Sequence, residues 1–200
     1  MASTDAATHR PPVTVRPVGP DDAPGLDTLL STLSERSRYR RWFTPAVDIQ
    51  RATAWAAHPE LHNAVGLVAT APDGQVVGHA AFIAIDDERA EVCFEVAAPW
   101  RHHGVAGSLL DELLRRAGQR GLRSLVAEVL SENADMLAVM RDHGPCREHR
   151  EGGVVELELP LPVPSVPPTT TVALSPAAQV VRHPRRTTSH VTHATGAAPI

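Results

Sequence analysis

A mixed α/β sheet, mostly antiparallel and flanked by helices, is the fold class this sequence predicts. Three observations lead there. Segments with two-residue alternation and segments with helical spacing succeed one another over residues 13–159 as strand, helices, three strands, helix, strand, helix, strand. The three central strands are joined by tight turns such as Asp73-Gly74, so they pair antiparallel. Aromatic residues make up only 4% of a chain that is 42% hydrophobic, so the core is expected to be Val, Leu and Ala.

Each element has its own warrant. Val13-Thr14-Val15-Arg16 alternates as a short strand. Asp21-Asp22 opens a helix carrying Leu26, Leu29, Leu30 and Leu33 at helical spacing, with acids at its positive end. Residues 34–43 form a second short helix closed by aromatics, and 49–58 a third. Strands are expected at 64–71, 75–85 and 90–96, the last two parted by the turn Asp86-Asp87-Glu88. Residues 104–120 form a long helix with Leu109, Leu110, Leu113, Leu114 and Ala117 on one face, ended by Gly121. A strand at 122–130, a helix at 133–143 stopped by Gly144-Pro145, and a strand at 154–159 complete the order.

The flanks read differently. Residues 1–12 are small and polar and end in Pro11-Pro12, a disordered start. From Pro160 the chain turns to Pro, Thr, Ala and Val, with too few large apolar groups to offset ordering entropy, so 160–200 reads as a Pro/Thr-rich disordered tail. A strand around Thr171–Leu174 is the competing reading of that stretch. All 23 acids lie before residue 161, where they face 16 Arg for a net charge of −7. The remaining residues carry three Arg and no acid. An acidic domain argues against a nucleic-acid partner. No apolar run approaches 18 residues, so no membrane span is expected. No basic-then-apolar leader pattern appears at the start, and two cysteines make no disulfide framework; the expected compartment is the cytoplasm. Every basic residue is Arg, the mark of a GC-rich, bacterial genome.

The chemistry concentrates between residues 91 and 110. Glu91 and Glu95 share one strand face with Cys93 between them, while Val92, Phe94 and Val96 face the other way into packing. The strand runs into the loop Arg101-His102-His103-Gly104 and then a helix beginning Val105-Ala106-Gly107-Ser108. Free N–H groups at a helix start, small residues and a basic loop together make a candidate phosphate site. His58 and His62 have helical metal spacing, but Pro59 intervenes and no third ligand follows, so no metal is assigned. His183, His190 and His193 fall in the tail. Cys93 has no His nearby in sequence and reads as a small strand-face residue, and Cys146 as packing. Arg38, Arg40 and Arg41 read as a solvated helix face, with contact to an acidic substrate as the alternative.

Arg101-x-x-Gly104-x-Ala106 resembles the Arg/Gln-x-x-Gly-x-Gly/Ala signature of the GNAT N-acetyltransferase superfamily. Its neighbours fit: Ala90-Glu91-Val92-x-Phe94-x-Val96 is similar to the family's preceding strand, and Ser131-Glu132-Asn133-x-x-Met136-Leu137 with Gly144 to its later strand-to-helix segment. Residues 37–43 are similar to a stretch found in the bacterial protein-acetyltransferase subgroup. The resemblance implies a GNAT-like sheet, acetyl-CoA as cosubstrate with no metal, and acetyl transfer to an amine of a protein or small molecule. It implies that residues 101–108 hold the pyrophosphate, that Asn133 bonds the cofactor arm, and that the Val96 N–H stabilises the oxyanion. Glu91 matches the subgroup's general base. Glu95 is a second base candidate or part of an acidic amine-binding surface. Two departures stand out: Met140 occupies the position of a thiolate-protonating Tyr, and Pro145 that of a Phe. They leave a rival reading, a degenerate acetyl-CoA-binding sensor or scaffold. Neither acceptor nor oligomeric state is written in the sequence.

Overall fold

The computed structural model describes residues 13–162. In chain order these are β1 (Thr14–Pro17), α1 (Ala23–Ser31), α2 (Glu35–Trp42), α3 (Ile49–Ala57), β2 (Ala64–Thr70), β3 (Val76–Ala84), β4 (Arg89–Val96), α4 (Val105–Gln119), β5 (Ser124–Leu130), α5 (Ala134–Asp142), β6 (Arg147–Glu151) and β7 (Val154–Pro160). The seven strands form one sheet in the order β1-β2-β3-β4-β5-β7-β6. Every neighbouring pair is antiparallel except β4 with β5. This is the mixed, mostly antiparallel α/β sheet that the alternation predicts.

Helices cover both faces. Leu109, Leu110, Leu113 and Ala117 of α4 lie with Leu137 and Met140 of α5 against Leu67, Phe82, Leu125 and Leu157 on one side. Leu26, Leu29 and Trp55 of α1 and α3 pack with Val68, Ala81 and Cys93 on the other. The strands alternate between these two cores, as a pleat with both faces buried requires. A register shift between Ala69 and Thr70 interrupts the β2–β3 ladder. Gly78 lies under α4: a Cβ there would stand 3.0 Å from Val105 Cγ1 and 3.2 Å from Leu109 Cδ1, so the missing side chain lets the helix close on the sheet.

Helix limits follow local chemistry. The Ser34 hydroxyl accepts from the Ser37 N–H at 3.2 Å and starts α2. Phe43, at φ 57°, stops it in the left-handed region. The Asp48 carboxylate caps α3 through the Arg51 N–H at 3.0 Å. Asp22 stands directly before α1, as the sequence reading has it. Its carboxylate makes no cap bond; it takes Arg16 in a two-pronged pair at 2.8 and 2.6 Å and the Gly19 N–H at 2.9 Å. A guanidinium fork satisfies both carboxylate oxygens at once, so it outcompetes a single cap bond.

Two boundaries move. β6 is absent from the sequence reading because Arg147–Glu151 is charged on both faces and exposed throughout, leaving no alternation to see. The signal available was Gly152-Gly153, both at positive φ, joining β6 to β7 as a tight hairpin. At the other boundary, β7 continues through Pro160, and Leu161 is buried in the main core with its N–H donating to the Arg123 carbonyl at 2.7 Å. The ordered domain therefore runs past residue 159. The proposed disordered start at 1–12, the rest of the expected tail, Thr171–Leu174 and the three tail histidines lie outside the described residues.

Candidate active site

β4 and β5 pair at three positions only: Arg89 with Ser124, Ala90 with Leu125, and Glu91 with Val126. Beyond Glu91 the strands part, so residues 92–96 and 127–130 face each other across a wedge rather than a ladder. A parallel pair that separates leaves one edge of each strand without backbone partners. The wedge widens into a cleft of about 380 Å³, walled by both strands, the start of α4, one side of α5 and the cleft-facing residues of α2.

At the wide end, the Ala97 N–H donates to the Val77 carbonyl at 2.9 Å. Backbone groups alternate along an extended strand, so Val96 presents its N–H and carbonyl toward the wedge. The carbonyl accepts from Arg101 Nε at 3.2 Å. The N–H is left aimed at the gap, the placement expected of an oxyanion donor.

The loop that follows reverses the chain with two left-handed residues, His102 at φ 60° and Gly104 at φ 78°. The latter conformation is cheap only for glycine. The first helical bond of α4 runs from the Ser108 N–H to the Gly104 carbonyl at 3.0 Å. Val105, Ala106 and Gly107 therefore have N–H groups with no intrahelical partner, at the positive end of a 15-residue helix. Arg101, His102, Gly104, Val105, Ala106 and Gly107 line the cleft, while His103 and Ser108 do not. The Ser108 hydroxyl turns back to the Gly104 carbonyl at 3.2 Å, and its N–H is used by the helix. Arg101 is committed as well: besides Val96 it donates to the Ser37 hydroxyl at 3.0 Å, tying the loop to α2. The candidate anion cradle is thus mainly backbone, from Val105 to Gly107, with Arg101 bracing the loop that forms it.

Asn133 precedes α5 and lines the cleft. Its side chain makes no capping bond, so it is free for a ligand. Met140 is wholly buried in the main core and is not part of the cleft wall.

The two glutamates part company. Glu91 is half-buried at the point where the strands separate. Burial pushes its carboxyl up to about 7, helped by the negative charge of Glu128 on β5 and opposed by Arg41. Glu95 is buried, and both its oxygens are taken: Oε1 by Arg41 Nε, and Oε2 by His79 Nδ1–H at 2.8 Å. Burial would raise its carboxyl, but Arg41 and His79 outweigh this and hold it below the usual range. This corrects the reading of Glu95 as a second base or an amine-binding surface. Both oxygens are held by fixed donors, and the side chain is only 3% exposed, so an incoming amine would have to displace Arg41 or His79 to reach it. Arg41 is corrected with it, since its side chain is 11% exposed and ion-paired rather than solvated. Burial pushes the Cys93 thiol up to about 12, so it is no nucleophile at neutral pH. The His58–His62 spacing serves other contacts: His58 pairs with Glu60 at 3.2 Å, and His62 stacks on Trp55. Among the described residues, no three His, Cys, Asp or Glu side chains are grouped to hold a metal.

Glu128 and His79 escaped the sequence reading, as did the ion pairing of Arg41. Glu128 had a signal available, as the one acid in an apolar strand; the other two had none, because their partners are distant in sequence.

A model of the acetyltransferase (GNAT) family matches residues 29–144, more than half of the chain and the segment that carries the wedge and the cradle. The chain belongs to the GNAT family. Membership makes it an acetyl-CoA-dependent N-acetyltransferase. Among solved structures it is similar to the GNAT domain of S. lividans PAT, at 32% identity and a TM-score of 0.68, over 74% of this chain and 90% of that one. It shares its fold with yncA from Salmonella typhimurium, solved with acetyl-CoA (19% identity, TM-score 0.63, 78% and 98% of the two chains). It shares it also with spermidine N-acetyltransferase from Vibrio cholerae, solved with CoA and spermine (16%, 0.59, 74% and 95%). No curated protein matches the chain. Among the described residues, no helix of this GNAT protein is long and apolar enough to cross a membrane.

Proposed function

We propose that this GNAT protein moves the acetyl group of acetyl-CoA to a primary amine, with Glu91 as the general base. The observation that carries the reading is the position and acidity of Glu91, half-buried where β4 and β5 part, with a carboxyl that titrates near 7. A base serves best when its pKa lies near the working pH. The pantetheine arm enters the wedge, its pyrophosphate rests on the N–H groups of residues 105–107, and Asn133 bonds the arm. Glu91 takes the proton of the incoming ammonium. The amine nitrogen attacks the thioester carbonyl, and the oxygen that gains charge is met by the Val96 N–H. The nitrogen, positive after the attack, sheds its second proton to water in the open cleft, the C–S bond breaks, and CoA leaves as its thiolate. With Met140 buried, no side chain protonates it there; a thiol of ordinary pKa, about 8.5, leaves without one.

The acceptor is an amine of a protein or a small molecule; the acidic cleft residues Glu91 and Glu128 favour one that arrives as a cation. We place the reaction in a bacterial cytoplasm, without a nucleic-acid or membrane partner. The rival reading, an acetyl-CoA sensor, draws on the departures at Met140 and Pro145. Release of free CoA measured against a panel of amines tests the proposal. Amine-dependent release that falls about 10²–10⁴-fold in Glu91→Gln supports it. Acetyl-CoA binding with no release for any amine favours the sensor.

A further inference from the structure

Three buried side chains lie behind the cleft on the same face of the sheet as Glu91: Arg41 of α2, Glu95 of β4 and His79 of β3. The side chains of Glu95 and His79 are 3% and 2% exposed, and that of Arg41 is 11% exposed. His79 and Glu95 stand opposite each other in the β3–β4 ladder. Arg41 reaches in from α2, 54 residues away in sequence, to close the chain of bonds. A buried ion pair is weak evidence for stability, because desolvation cancels most of its attraction. Its presence at this spot asks for another account.

We propose that Arg41 is a positioning residue for the transfer: bonded to Glu95, it locks α2 against the cleft and presents a fixed positive charge to the strand face that carries Glu91. This rests on the reading of Glu91 as base. The geometry supports both halves. Arg41, Glu91, Cys93 and Glu95 all line the same cleft, and Arg41 and Ser37, whose hydroxyl accepts from Arg101, anchor α2 at its two ends. Burial alone would lower the Arg41 guanidinium, but Glu95 and Glu91, with Cys93 beside them, raise it above its usual range, so it stays charged at every working pH.

The surroundings of Glu91 define what Arg41 must do. Glu128 faces it from β5, and Asp135 and Asp142 of α5 line the same cleft. On its own strand stand Arg89, whose guanidinium is taken by Asp86, then Cys93 and Glu95; β3 contributes His79, already bonded to Glu95. Arg40 of α2 lies further along the wall. Burial and Glu128 both favour the protonated carboxyl. Of the cations named, Arg41 is the one that acts on Glu91 to oppose them. Without it a larger share of Glu91 would already be protonated at neutral pH and so unable to take a proton from the amine.

A carboxyl ¹³C titration of the full chain tests this without knowledge of the acceptor, with Glu91→Gln used to assign the resonance. The wild-type Glu91 midpoint is expected near pH 7. In Arg41→Met/Glu95→Gln, which leaves neither charge of the ion pair alone and keeps an amide oxygen to accept from His79, the midpoint rises by about one unit, the low end of what an adjacent opposite charge exerts. In Arg41→Lys, which keeps the charge but not the fork, it stays with wild type. A midpoint unmoved in the double variant, moved equally in both variants, or near ordinary carboxylate values in wild type overturns the proposal. The base reading is judged separately. Amine-dependent turnover that survives Glu91→Gln removes it, even if every titration behaves as stated.

Discussion

His79 and Glu95 face each other across neighbouring antiparallel strands, and the His79 Nδ1–H donates to Glu95 Oε2 at 2.8 Å with both side chains shielded from water. With Arg41 on the other carboxylate oxygen, this contact turns Glu95 from a candidate catalyst into an internal brace.

Removing one member of the brace should cost far more than removing the charged pair. Glu95→Ala leaves Arg41 buried without its counter-ion, and a loss of about 3–5 kcal/mol is expected from urea unfolding. Arg41→Met/Glu95→Gln, which keeps an acceptor for the His79 ring N–H, should recover most of it. A Glu95→Ala loss below about 1 kcal/mol would show that water reaches the pair.

The stability of the fold should depend on the charge of Glu91. Its carboxyl titrates near 7 in the native state against 4.5 for an unperturbed glutamate. Between those values the unfolded chain releases the proton and the native state keeps it, so Glu91 subtracts stability as pH rises from about 4.5 to 7, and the deficit is complete above 7. Glu91→Gln lifts that deficit. It should be more stable than wild type at pH 8, on the order of 1–3 kcal/mol, and no more stable at pH 4. In Tm this is about 2–4 °C per kcal/mol for a domain of this size. A Tm difference that does not change between pH 4 and pH 8 would contradict the placement of Glu91.

Gly104 holds φ 78° at the mouth of the cradle. Gly104→Glu adds both backbone strain and a negative charge where a phosphate should rest. Calorimetry should show acetyl-CoA affinity falling at least about tenfold, about 1.4 kcal/mol, while Gly104→Ala pays mainly in stability, about 1–2 kcal/mol. Unchanged affinity in Gly104→Glu would remove the cradle from this loop.

Leu161 seals the end of the sheet. Truncation after Pro162 should leave Tm close to that of the full chain. Leu161→Ala should cost about 2–5 kcal/mol, as for other leucines in a packed core. A Tm insensitive to the substitution would mean that the domain ends before it.

Much of the frame was legible because its signals are local. The period-two alternation of residues 90–96 put Glu91, Cys93 and Glu95 on one face, and the structure keeps them there. The Arg101-x-x-Gly104-x-Ala106 turn announced a helix start with unpartnered N–H groups, and α4 begins at Val105. β6 escaped because Arg147–Glu151 pays no attention to burial: an edge strand exposed on both faces has no hydrophobic period to read.

By itself, then, the sequence determined the order of every element but β6, the strand face that bears the carboxylates, and the loop that leads into α4. These follow from backbone periodicity and from the few residues able to hold a left-handed turn. Only the tertiary structure set the two carboxylates apart. Glu91 and Glu95 are the same residue type on the same face, four positions apart. Glu95 meets His79, 16 residues away, and Arg41, 54 away, which hold it ionised and inaccessible. Glu91 sits where β4 leaves β5, shielded enough to raise its carboxyl to about 7 and open enough to face the cleft. Acidity depends on burial and on charges brought close by folding, and neither quantity exists along the chain until the sheet and α2 have come together.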